Sequence, residues 1–179
     1  MANLEGSGKQ RSMVTGMFRD RESAERAYQS LPARGYSERD VNLAMSEDTR
    51  KRYFGDETVT TELGNKAAEG AGVGGAIGAT VGAIAAAIAA VGTSIAIPGL
   101  GLVLAGPAAA AIAGAGAGGV AGGLVGALVG WGIPEERVKH YEEGIKQGGI
   151  VMGVTPRSDE DAEYFEREWK NNRGEHVYR

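Results

Sequence analysis

The chain has 179 residues, a net charge of −4 and no cysteine, and 30 of its residues are glycine. That length bounds it to one domain, or one domain with an insertion. The acidic balance argues against general binding to nucleic acid, and the missing thiols exclude disulfides, thiol catalysis and cysteine-ligated metals.

Residues 1–12 are polar, lack an apolar signal core and read as a flexible leader. The first half of an α+β domain then runs over 13–61. Val14 to Phe18 is β-prone, and Asp20 is placed to cap a helix whose inner face is Ala24, Ala27, Tyr28 and Leu31. Pro32 and Gly35 end that helix. Val41, Leu43 and Met45 alternate with Asn42 and Ala44, as in a half-buried strand. Arg50, Lys51 and Arg52, beside Tyr53 and Phe54, make a basic cluster that reads as a solvated linker, with contact to anionic lipid headgroups as the other use.

Residues 62–132 change character. No charged residue occurs from Gly70 to Pro134. Gly70, Gly74, Gly78 and Gly82 recur every fourth position, and so do Gly114, Gly118, Gly122, Gly126 and Gly130. Residues four apart share one helix face, and a row of glycines there lets two backbones approach closely. Each glycine costs a lone helix about 1 kcal/mol relative to alanine. Such helices need a tight partner, so the spacing predicts helices over Leu63–Val91 and Pro107–Trp131, paired as an αα-hairpin. The connection Gly92–Gly106 is apolar and is expected to be buried. Two glycine triplets here match a dinucleotide fingerprint, but neither follows a predicted strand and neither run ends in a Walker-type lysine. No cofactor is expected.

Residues 133–179 supply a helix and the second half of the domain. Pro134 fits the first helical position, Glu135 and Glu136 oppose the helix dipole, and Val138, Tyr141 and Ile145 form the apolar stripe. Ile150 to Val154 is a strand, Ser158 is a cap, Ala162, Phe165 and Trp169 share one helical face, and Glu175 to Tyr178 is a short last strand. The β-α-β order thus occurs twice. It predicts an α+β fold with a ferredoxin-like split βαβ sheet, interrupted by the Gly/Ala-rich hairpin.

No catalytic or metal-binding constellation emerges. His140 and His176 read as surface residues, and the adjacent acidic pairs Glu135–Glu136 and Glu142–Glu143 read as solvated helix faces.

The opening Met13–Met45, with Asp20, Glu22, Ala24, Gly35, Tyr36 and Ser37, resembles the heat-induced stress protein YflT, or general stress protein, domain. The glycine rows, with Ile97-Pro98-Gly99-Leu100-Gly101, Gly132-Ile133-Pro134-Glu135-Glu136 and Gly148-Gly149-Ile150-Val151, resemble its larger bacterial forms. The resemblance implies a stress context and no catalytic activity. The expected function is a non-enzymatic, cytoplasmic stress-response protein that assembles with itself through its glycine rows, binding no nucleic acid. Two other readings stay open: a membrane-associated protein whose hairpin meets lipid, and a small-ligand sensor by analogy with ferredoxin-like domains.

Overall fold

Asp20 opens the first helix by accepting the Ser23 N–H at 2.7 Å, as its position predicts. In the computed structural model, which describes residues 12–54, 84, 95–97, 101–107, 109 and 123–179, that helix (α1) is Arg21–Gln29, after strand β1, Val14–Phe18. Gly35, at φ 74, closes the 3₁₀ turn Pro32–Arg34 in the left-handed conformation that glycine adopts without strain. Ser37 and Asp40 form a reciprocal capping box over the next turn, Glu38–Asp40. Strand β2 is Val41–Ser46, and helix α2, Glu47–Phe54, follows with Ser46 Oγ accepting the Thr49 N–H. The basic cluster lies on this helix rather than in a linker, with Lys51 Nζ 3.1 Å from Glu47.

Strands β3, Ile95–Ile97, and β4, Leu102–Ala105, come next, joined through Gly101 at φ 57. Helix α3 is Gly123–Gly130, α4 is Glu135–Lys146, β5 is Ile150–Val154, α5 is Asp159–Asn171 and β6 is Glu175–Tyr178. Pro134 is the cap of α4, one position before the expected first helical residue. Ser158 caps α5 by accepting the Asp161 N–H at 3.0 Å.

The six strands form one antiparallel sheet in the order β3-β4-β2-β5-β1-β6. β5 lies between β1 and β2, with Val14 and Val41 both opposite Val154. This interleaving of two β-α-β units makes the fold α+β, as the repeated pattern predicts.

Period-two alternation divides the side chains between two faces. Val14, Phe18, Leu43, Met45, Ile150 and Met152 point to the side covered by α1 and α5, where Phe165 and Trp169 fill the core. Met17, Ala44, Leu104 and Val151 point to the opposite side, where Val138, Tyr141 and Ile145 of α4 meet Ala127 and Leu128 of α3. All these residues are buried. Tight clearances fix this second layer: a Cβ on Gly144 of α4 would fall on Met17 Sδ, and one on Gly106 would meet the Val41 carbonyl.

Three expectations change. The Gly92–Gly106 stretch holds β3 and β4, and β4 pairs with β2 from Leu43↔Ala105 to Ser46↔Leu102. Residues 62–132 therefore supply two strands of the sheet, so the sheet does not lie wholly outside the insertion. Third, Ile84, before β3, is buried in the core under α1 and α5, whereas Ala109, Ala127 and Leu128, after β4, are buried under α4. The described residues of the two arms thus lie on opposite faces of the sheet, while the αα-hairpin expected of the two spans falls mostly outside the described residues. Residues 1–11 of the leader and most of the two helical spans lie outside the described residues.

Candidate functional site

Of the glycines expected to form the assembly surface, Gly70, Gly74, Gly78, Gly82, Gly114, Gly118 and Gly122 lie outside the described residues. Gly126 and Gly130 lie on α3. This helix has no charged residue, and over 125–130 it has a buried and an exposed side. Ala127 and Leu128 are buried, as is Trp131 just beyond the helix, because positions three and four apart turn together toward α4 and the sheet. Gly126 is partly exposed and Gly130 exposed, and between them Val129 is 44 % exposed, the one exposed large hydrophobic among the described residues. The glycine row therefore lines the outward side of α3.

Glu25 anchors the arm before β3. It is buried on α1, Arg21 Nε lies 3.5 Å from its Oε1, and Oε2 accepts the Ile84 N–H at 3.2 Å. A carboxylate committed to a backbone amide and a guanidinium is an anchor for the insertion, and the charge-assisted bond is stronger than a neutral one.

Two polar seams hold the α+β part together. In the first, Tyr36 Oη donates to Asp161 Oδ2 at 2.7 Å and Arg34 Nε donates to Oδ1 at 2.8 Å. The Tyr36 oxygen accepts the Arg157 N–H at 2.6 Å, while the Arg157 guanidinium stacks 4.2 Å over the Tyr36 ring and reaches Asp40 at 3.2 Å. The Tyr36 hydrogen bond, ahead of the Arg34 and Ser158 contacts, holds Asp161 below the usual carboxylate range, although burial opposes it. Burial likewise pushes Asp40 up, but hydrogen bonds from Ser37 and the Arg157 charge bring it below the ordinary value.

In the second seam, Arg137, His140 and Tyr141 project from one face of α4 onto β6. Tyr141 Oη donates to the His176 carbonyl at 2.7 Å and lies 2.8 Å from Thr15 Oγ1. Arg137 sits 4.4 Å over the Tyr178 ring. The rings of His140 and His176 stack with centroids 4.5 Å apart and planes 10° from parallel. Both histidines are exposed, as expected, but they pair across 36 positions, and no local spacing signals that. Imidazole lone pairs lie in the ring plane, so two stacked rings cannot share one metal ion at bonding distance.

A carboxyl or tyrosine that serves acid–base chemistry near neutral pH has its pKa moved toward the working pH. The shifts here run the other way. Asp40, Asp161 and Glu175 are lowered, Glu175 chiefly by its hydrogen bond with Arg19. Burial pushes Tyr28 up to about 12 and raises Tyr141 further. These groups act as fixed charges and fixed donors. Among the described residues no group of three or more His, Asp or Glu side chains could hold a metal ion, and no helix is long and apolar enough to cross a membrane.

Comparison with known proteins finds no matching family model, no matching curated protein and no matching solved structure.

Proposed function

We propose that this chain is a non-catalytic protein of the stress-response kind that assembles with copies of itself through the uncharged part of its insertion, from Gly70 onward, on a scaffold of ferredoxin-like type. One observation carries the reading: α3 is wholly uncharged, buries Ala127 and Leu128 inward, and turns Gly126, Val129 and Gly130 outward. An apolar helix side lined with glycine suits close packing against another helix, and the described part of the other arm lies across the sheet. A second copy is a partner always at hand. The scaffold's strand pairing and the quoted likeness to general stress proteins support the rest of the reading.

Light scattering on the full chain tests it. The wild type should exceed its 18.5 kDa monomer mass without detergent. Gly130 is exposed and Gly126 partly exposed in the single chain, so circular dichroism and thermal melts of Gly126→Leu and Gly130→Leu check that the monomer fold survives them. In a close-packed interface each should cost about 1–3 kcal/mol per contact. Both variants should therefore run smaller while keeping their circular dichroism. A wild-type monomer, or variants that keep the wild-type mass, would sink the reading, and recovery only in detergent would favour contact with lipid.

A further inference from the structure

We propose that the His140–His176 stack is a proton-sensitive latch on the last strand: when both rings are charged, β6 loosens and the edge of β1 is uncovered. The geometry supplies the switch. The two rings lie face to face at 4.5 Å, one on α4 and one on β6. One proton leaves a cation against a neutral ring, an attractive arrangement. A second puts like charges face to face. Histidine is the side chain whose charge ordinarily changes between pH 5 and 8.

The charges around the pair are of both signs, and Glu175, beside His176, favours its charged form. On α4 these are Glu136, Arg137, Lys139 and Glu143; on β6, Glu175 and Tyr178; beside them, Arg19 after β1 and Arg173 before β6. Glu175 is committed to Arg19 at 2.7 Å, and Glu143 accepts from Gln147 at 3.1 Å. Arg137, over Tyr178, adds positive charge to the same seam.

Of the two elements, β6 is the one that gives way. Helix α4 is held by the buried Val138, Tyr141 and Ile145. Strand β6 is a four-residue edge strand paired only with β1, through a register shift between Thr15↔Tyr178 and Met17↔Glu175. His176 sits in that shift at φ 49, in the left-handed region that costs a non-glycine residue some strain. The buried Val177 and the Arg19–Glu175 pair hold the strand when the rings are neutral. An uncovered β1 edge presents unpaired backbone groups to any extended chain.

Hydrogen exchange on the full chain, read by mass spectrometry at about pH 7.5 and about pH 5.5 and corrected for intrinsic chemistry, tests this. The peptide covering 175–179 should lose about fivefold in protection on acidification, the effect of two like charges at this separation in a water-like medium. The peptide covering 159–171 should not change. His140→Gln removes one charge from an exposed helical position. His176→Asn removes the other and keeps a residue that tolerates the left-handed conformation. Both variants should flatten the response of β6. An acid response in either variant as large as the wild type's, or none in the wild type, would overturn the proposal.

Discussion

Asp161 shows how one carboxylate ties the halves of the chain together. Its partners Tyr36 and Arg34 lie 125 and 127 positions away, so the clasp joins the turn after α1 to the start of α5. The cap beside it was legible, because Ser158 followed by Asp159, Glu160 and Asp161 marks a helix start. The clasp was not, because nothing in local spacing says which distant tyrosine an acidic residue will meet. Asp161 is held below its ordinary value in the folded chain. A depressed carboxylate contributes stability that is fully present above its unfolded value, near pH 4, and is lost as pH falls through the lower folded value. Asp161→Asn should therefore cost roughly 1–2 kcal/mol at neutral pH, the worth of hydrogen bonds to a charged group partly open to water. The gap between variant and wild type should narrow on acidification to about pH 2.5, as the carboxylate takes up a proton. Urea unfolding at the two pH values measures both gaps; a gap unchanged by acid would show that the charge on Asp161 does not stabilise the clasp.

At the scale of elements, strands with mixed faces were the easiest to read. Val41, Leu43 and Met45 alternate with Asn42 and Ala44, and the register bears out the strand. β3 and β4 were missed for a physical reason. Leu102 and Leu104 point into one core while Val103 and Ala105 point into the other, so β4 is apolar on both faces and carries no period-two signal. α2 was missed because its charged residues mask a helix whose main anchors are the buried Thr49 and the packed Tyr53 and Phe54. These two strands change what the insertion does. Removing 62–132 would strip β3, β4 and α3 from the sheet, and with them Leu102, Leu104, Ala127, Leu128 and Trp131 from the second core. Burial is worth about 1.5–3 kcal/mol for each large apolar side chain, against a whole-domain stability of about 5–15 kcal/mol. The deletion should therefore leave a chain with residual helix, no cooperative melt and strong binding of a hydrophobic dye. A sharp thermal transition with no dye binding would mean that the remaining four helices and four strands suffice by themselves.

For the whole molecule, the glycine spacing was legible in the sequence, but not the side of the sheet on which the described residues of each arm would lie. Ile84 on one face and Ala127 on the other separate the arms at those points. If copies associate through the insertion, its character decides how such contacts respond to solvent. From Gly70 to Pro134 there is no charge, whereas the flanks carry 23 acidic and 19 basic residues between them. An assembly built through the flanks would rest on ion pairs between copies, and salt would dissolve it, because screening at about 1 M shortens the Debye length to about 3 Å. One built through the stretch from Gly70 to Pro134 has no charge to screen. Salt would instead weaken the repulsion between copies that each carry −4, and excluded salts such as sulfate would strengthen apolar burial. Raising the salt from about 0.1 M to about 1 M should therefore leave the assembly's mass unchanged or larger. The melting temperature should rise with protein concentration at both salt levels, as mass action requires when association stabilises the fold. Light scattering and thermal melts over a dilution series read both effects. Dissociation at high salt would move the interface to the charged flanks and away from Gly126 and Gly130.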